Sequence, residues 1–489
     1  MSIRSDADRS EYRHRYTIGL DLGTSAVKGV LLSAAGEVVA RARTETRLDA
    51  YPDGRVEFDA EALFGLTADA IRQLSAALPA DGRVAGLCMA SASGNTVLLN
   101  ERGEPMRPAI SWMDARVKDE MDVKLGKLTP AAVHERTGWP LLKAFPLAHL
   151  SWLSVHEPDL LKRSAKVGMS TEYMLYRLTG EWAIDPSQAT TFYLQDQQTQ
   201  VWHAPYLRAL GIPEEKLPRL VATGSVLGRI TDAASALTGL PAGTPVAAGC
   251  FDHPAAARGA GVLDEGGLLL SCGTSWVGFT PLSERSQVVG NGMLTDPFLQ
   301  PNGPWGAMFS LPAIAVSVDR IVREYISDAP DRYESFSALA AAAAPGARGL
   351  LINPLLEAGT GRWKGVAASD LASAVMAGTA YLLQSHIDRL ARAGIRFTSV
   401  TMVGGPSDTH PWPQIVADVL GVEVHTVNGS CAGAAGAALL ATVAAGLYPD
   451  EREAFKQAAF PKLTRRPDRE AHEIYVRQYE AFARRFPTE

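Results

Sequence analysis

Two stretches of the chain share one pattern: Ile18-Gly-Leu-Asp21-Leu-Gly23-Thr24-Ser25-Ala-Val-Lys28 near its start, and Leu268-Leu-Leu-Ser-Cys-Gly273-Thr274-Ser275-Trp-Val277 past its middle. Each reads as an apolar strand, a Gly-Thr-Ser turn and a returning strand. In the first, Tyr16 to Asp21 runs out and Val27 to Leu32 returns. Glu37 to Thr44, beyond the turn at Ala34-Ala-Gly36, supplies a third strand, so the chain opens on a β-meander rather than a β-α unit. Recurrence of the hairpin predicts two half-chains of related build, each offering one glycine turn. The expected division is a flexible tail over 1–15, an N-terminal domain over 16–255 and a C-terminal domain over 256–489.

Composition agrees with a large α/β protein. A chain of 489 residues exceeds one ordinary core. With 46% hydrophobic and 20% charged residues, it is neither disordered nor a coiled coil nor collagen-like. A net charge of -6 repels a phosphate polymer, so no nucleic-acid partner is expected. Four cysteines without C-x-x-C spacing make neither a disulfide framework nor a sulfur-rich zinc site. Met1 to Arg15 lacks an apolar signal core, and the longest apolar runs, such as Ala434 to Ala445, are too short to span a bilayer. The expectation is a cytoplasmic protein with no membrane partner; a homodimer is left open.

Between and after the hairpins, local signals place further elements. Asp59 caps a helix with Leu63, Leu66, Ile71 and Leu74 at helical spacing. Val84 to Ala90 and Thr96 to Leu99 read as strands, and 129–180 as mostly helical. Ser369 is expected to cap a long helix ending at Gly394. A buried strand over Ser399 to Val403, a helix from Trp412 to Leu420, small-residue packing over Gly433 to Ala438 and a charged amphipathic helix over Asp468 to Phe486 complete the reading.

Three features suggest nucleotide chemistry. In Asp21-Leu-Gly23-Thr24-Ser25 a carboxylate at a strand end precedes a turn whose backbone N–H groups and hydroxyls can meet a phosphate. A carboxylate facing phosphate implies a divalent cation between them; a plain hairpin turn is the alternative. Gly273-Thr274-Ser275 repeats the device. Met402-Val-Gly404-Gly405-Pro-Ser407 carries a buried strand into a double glycine that can pass close to a base or ribose. No P-loop and no G-x-G-x-x-G occurs. Asp252, in Gly249-Cys-Phe-Asp252-His253-Pro, stands where a strand meets a small-residue helix. It can serve there as a general base or as a helix N-cap.

Taken in order, these motifs together with Ser111-Trp-Met-Asp114-Ala-Arg116 resemble the FGGY carbohydrate kinases, over residues 16 to about 446. The resemblance implies an actin-like ATPase (ribonuclease H-like) fold, with two α/β domains flanking a deep catalytic cleft. It implies ATP and Mg²⁺ as cofactors and a small sugar as acceptor, with sugar mainly on the N-terminal side and ATP mainly on the C-terminal side. Asp252 would be the catalytic base and Asp21 the metal ligand. Gly23, Thr24, Ser25, Gly273 and Thr274 would meet the phosphates, and Gly404, Gly405 and Ser407 the adenosine. Ser93, Gly94, Asn95, Asp114, Asp252 and His253 are the expected sugar contacts. Where xylulose kinases typically carry Gln-Met-His-Gly, this chain has Ala92-Ser93-Gly94-Asn95. A ketopentose or related ketose or polyol is the leading acceptor class, with a sugar acid such as gluconate, or glycerol, behind it. A non-catalytic sugar sensor or an ATPase on the same scaffold are the competing functions.

Overall fold

The computed structural model describes residues 14–126, 128–427, 431–458, 460 and 462–487. Most of the tail expected over 1–15 lies outside the described residues. By packing, the described chain forms two compact units. The first holds 14–261, 282–307 and 431–458; the second holds 262–281, 308–427, 460 and 462–487. A single boundary at 255/256 does not anticipate the two later segments that pack with the first unit.

The first unit is built on a six-stranded sheet. Its strands are β1 (Arg15–Leu22), β2 (Ala26–Ser33), β3 (Val38–Glu45), β4 (Arg83–Ser91), β5 (Val226–Arg229) and β6 (Pro245–Phe251), in the spatial order β3-β2-β1-β4-β6-β5. The expected meander is present: β1 and β2 pair antiparallel from Tyr16↔Ser33 to Leu22↔Val27, and β3 continues beside β2. β4 lies parallel to β1, and β6 parallel to β4. Side chains buried on both faces of β1, β2 and β4 follow from this central placing, because both faces are covered.

The second unit repeats the arrangement. Six consecutive strands of its seven-stranded sheet are β7 (Gly267–Cys272), β8 (Trp276–Leu282), β9 (Trp305–Leu311), β10 (Ser399–Val403), β11 (Glu423–Val427) and β12 (Lys462–Arg465), running β9-β8-β7-β10-β11-β12. The second hairpin pairs Leu269↔Phe279 to Cys272↔Trp276, and β10 and β11 add in parallel. Both sheets therefore follow a hairpin with two parallel strands and an antiparallel edge.

At two of the expected helix starts the local chemistry is as read, and at a third it is not. Asp59 accepts hydrogen bonds from the backbone N–H of Glu61 and Ala62 at the start of helix Ala60–Ala76, and Asp468 caps Arg469–Arg485 through Ala471 N–H. Ser369 does not cap: the long helix spans Ala368–Arg392, its N-cap position is Ala367, and Ser369 stands in the first turn. The small-residue helix Ala432–Ala444 lies against β1 in the first unit. A Cβ on Gly19 would come within 1.9 Å of the Ala434 carbonyl oxygen, so only glycine admits this approach. Thr17 Oγ1 donates to the Ala438 carbonyl at 3.2 Å, closing the same contact.

Candidate active site

The carboxyl ends of parallel strands are where open α/β sheets bind ligands. In the first unit β1 delivers Asp21 and β6 delivers Asp252 to that edge. Register places Asp21 and Cys250 both opposite Ala90 of the intervening β4. The two backbones are thus two strand spacings apart, roughly 10 Å at ~4.8 Å per spacing.

Asp21 is an unusual carboxylate. Its Oδ1 is buried and has no hydrogen-bond partner among the described residues, and Gly433, at the start of helix Ala432–Ala444, leaves the space a Cβ would occupy 3.0 Å from its carboxyl carbon. Burial, then the negative charge of Asp252, pushes the Asp21 carboxyl up to about 7, with Lys28 opposing. Such a group is short of positive charge. Among the described residues no cluster of three or more His, Cys, Asp or Glu side chains is poised to hold a metal. A cation at Asp21 would therefore take most of its ligands from water and phosphate, which suits Mg²⁺.

Asp252 opens helix Asp252–Ala260, but the N-cap position is Phe251 and no side chain caps the helix. Among the described residues the Asp252 carboxylate accepts only the neighbouring His253 N–H (2.7 Å), and its side chain retains 27% exposure. The capping alternative is not what the side chain does. His253 stands beside it, Nε2 3.9 Å from Asp252 Oδ1 and its ring edge-on to Phe251.

The Gly23-Thr24-Ser25 turn is braced from both sides. Thr46 Oγ1 donates to the Thr24 carbonyl (2.6 Å), Thr46 N–H to the Ser25 carbonyl (3.1 Å), and the Trp112 indole N–H to Thr24 Oγ1 (3.2 Å). Gly23, Thr24 and Asn95 line one cavity of about 150 Å³ with Ser111, Trp112 and Ser170. Other expected sugar contacts are engaged within the protein. Asn95 donates through Nδ2 to Ser170 Oγ (3.0 Å) and accepts Ser170 N–H on Oδ1 (2.7 Å). Ser93 Oγ donates to the Ser91 carbonyl. Gly94, at φ +87°, faces Phe145, whose ring carbon would lie 2.3 Å from an added Cβ.

Asp114 is not brought into that cavity. It is fully buried and accepts Val56 N–H, Arg116 N–H and the Arg116 guanidinium on its two oxygens. The Arg116 partnership holds its carboxyl below the usual range against the cost of burial. Its contribution is to fasten the segment that carries Trp112. Trp112 and Ser170 escaped the sequence reading as site residues, although Trp112 stands inside the Trp-x-Asp-x-Arg signature.

In the second unit Gly404, at φ +98°, lets β10 end against β7: a Cβ there would lie 2.5 Å from the Cys272 carbonyl oxygen. Ser407 Oγ donates to the Gly404 carbonyl (2.6 Å) and so closes the turn. The Thr274 carbonyl accepts Ala315 N–H (3.1 Å), joining the glycine turn to helix Ile314–Tyr325. Gly273 and Gly405 line a cavity of about 350 Å³ whose walls include Trp276, Phe336 and Trp412. The Trp276 and Trp412 rings lie 5.1 Å apart. This glycine-floored, aromatic-walled pocket has the character of a site for a flat base.

Comparison with known proteins agrees. Family models match residues 16–259 as the N-terminal domain, and 315–445 as the C-terminal domain, of the FGGY family of carbohydrate kinases. The chain is 29% identical over 490 residues to the xylulose kinase of Escherichia coli (strain K12), covering 96% of this chain and 98% of the relative. It is 28% identical over 498 residues to the autoinducer-2 kinase of Salmonella choleraesuis (strain SC-B67), covering 94% and 92%. The crystal structure of xylulose kinase from Rhodospirillum rubrum superposes with a TM-score of 0.85 at 27% identity, covering 96% of this chain and 98% of that one. With both domain models matched in order, on an actin-like fold, the chain belongs to the FGGY family of carbohydrate kinases, ATP-dependent phosphotransferases with a sugar hydroxyl as acceptor.

Proposed function

We propose that this kinase phosphorylates a ketopentose or a closely related ketose or polyol, with Asp252 as general base. The observation carrying the assignment is the state of Asp252: at the carboxyl end of a central parallel strand, partly exposed, not spent on capping, and electrostatically coupled to the buried Asp21. Asp252 accepts the proton of the acceptor hydroxyl as that oxygen bonds to the γ-phosphorus and the bond to the ADP oxygen breaks. His253 lines the acceptor side. The turns Gly23-Thr24-Ser25 and Gly273-Thr274 are each suited to meet phosphate through backbone N–H groups. Gly405 lines the adenosine pocket with Trp276 and Trp412, and Gly404 and Ser407 shape the turn that carries it. Mg²⁺ fits Asp21, whose buried, unpartnered oxygen and raised proton affinity mark a missing positive charge; the ion supplies charge neutralisation for the phosphates.

The acceptor class rests on the full-length likeness to xylulose kinases. Xylulose itself is disfavoured, because Phe145 stands at Gly94 and Asn95 is committed to Ser170. A coupled ADP-release screen over ketopentoses, polyols and aldonates, run on parent and Asp252→Asn, tests the reading. The variant should bind ATP normally and lose ~10²–10⁴-fold in turnover. Near-parental turnover would remove Asp252 from the base's role.

A further inference from the structure

The ladder that carries the chain to Asp252 is interrupted between Ala247 and Cys250. Pairing of β6 with β4 is regular at Val246↔Leu87 and Ala247↔Cys88, then slips before resuming at Cys250↔Ala90. A strand end with an interrupted ladder would let the following side chain wander. Just past the interruption a second element adds to the sheet's hold: helix Pro186–Phe192, capped by Asp185, whose Oδ1 accepts Gln188 N–H (2.9 Å). Gln188 Nε2 donates to the Cys250 carbonyl (2.8 Å), and Ser187 Oγ accepts Phe251 N–H (2.9 Å). Ser187 in turn donates its own proton to Asp296 Oδ2 (2.5 Å). Ser187, Gln188 and Asp296 are each at most 1% exposed.

Burying this polar set is expensive. Among the described residues Asp296 Oδ1 has no hydrogen-bond partner, and burial raises the carboxyls of both Asp185 and Asp296, the negative charge of Asp296 adding to the rise at Asp185. An apolar filling of the same volume would cost the fold less. What the polar version supplies is direction. The Ser187 hydroxyl has one proton; donating it to Asp296 turns an oxygen lone pair toward Phe251 N–H. The Cys250–Phe251 peptide group, one before the peptide that leads into Asp252, is thereby clamped on both its carbonyl and its amide side.

We propose that Ser187, oriented by Asp296 and assisted by Gln188, is a positioning residue that sets the attitude of the Asp252 carboxylate for proton abstraction. The proposal rests on Asp252 being the base. Removing the hydroxyl frees the Phe251 amide and lets the carboxylate sample unproductive directions, which lowers turnover without weakening the hold on nucleotide.

The test compares Ser187→Ala, Ser187→Thr, Asp296→Ala and the double variant Ser187→Ala/Asp296→Ala with parent and Asp252→Asn. Turnover is followed with ATP and whichever of D-xylulose and D-ribulose the parent uses better. Ser187→Ala should lose roughly tenfold or more in kcat while KM for ATP stays within twofold. Ser187→Thr, which keeps the hydroxyl, should recover most of that loss. Asp296→Ala should resemble Ser187→Ala, and the double variant should be no worse than either, because they act as one unit. Amide hydrogen exchange over 248–253 should quicken in Ser187→Ala and not in Ser187→Thr. If Ser187→Ala does not accumulate folded, Ser187→Cys carries the same expectation, since a thiol hydrogen-bonds weakly. A kcat within twofold of parent in the alanine or cysteine variant, or a threonine variant as slow as alanine, overturns the proposal. Full activity in Asp252→Asn would instead sink the base assignment beneath it.

Discussion

Replacing Asp21 by Asn in metal-free buffer isolates the cost of burying that carboxylate. Folding raises its pKa from 3.8 to about 7, mainly through burial, then through the charge of Asp252. A carboxyl raised by folding binds its proton more tightly folded than unfolded. Stability is therefore greatest below the unfolded value and is lost as pH rises toward about 7. A shift of about three units at ~1.4 kcal/mol each amounts to ~4 kcal/mol at neutral pH. The amide keeps the shape without the charge, so the variant escapes the loss. Differential scanning fluorimetry across pH 4–7.5 should find parent and variant nearly equal at pH 4. The variant should then gain steadily, to about 4–6 °C at pH 7.5, using ~2.1 cal/mol/K per residue for a unit of this size. The same variant should need more Mg²⁺ for turnover, since stability gained at position 21 is cation affinity given up. A Tm difference that stays flat from pH 4 to 7.5 would refute the reasoning.

Three other outcomes test neighbouring parts. Gly404→Ala places a Cβ 2.5 Å from the Cys272 carbonyl at φ +98°, so it should cost about 1–3 kcal/mol and weaken ATP binding measured by calorimetry; unchanged binding would remove the Gly-Gly turn from the adenosine site. Asp114→Ala leaves the buried Arg116 with Glu57 as its remaining ion-pair partner and should destabilise by about 1–3 kcal/mol, read as a fall in Tm. A raised sugar KM with an unchanged Tm would return Asp114 to the acceptor pocket. D-Xylulose should be used roughly ten- to a hundredfold less efficiently than the best acceptor, the worth of one missing hydroxyl partner at ~1–3 kcal/mol. Parity in kcat/KM would show that the Gly94–Phe145 arrangement does not discriminate.

Short-range chemistry made much of this molecule legible from its residues. The meander, both Gly-Thr-Ser hairpins and the caps at Asp59 and Asp468 depend on turn residues and periodicity within a few positions, so they could be read without a partner in view. The ordered motifs identify the kinase family from the sequence alone. What the sequence could not say is which long-range partner each polar group would take. Asp114 and Asn95 look available for a ligand in the chain, yet folding commits one to Arg116 and the other to Ser170. The alanine- and glycine-rich segment Ala432–Ala444 could pack against almost any close backbone; only the missing side chain of Gly19 decides that it lies on β1. Ser187 and Asp296 carry no local signal at all. They meet behind Asp252 because the tertiary fold joins elements distant along the chain, and a hydrogen bond between such residues leaves no periodicity in sequence.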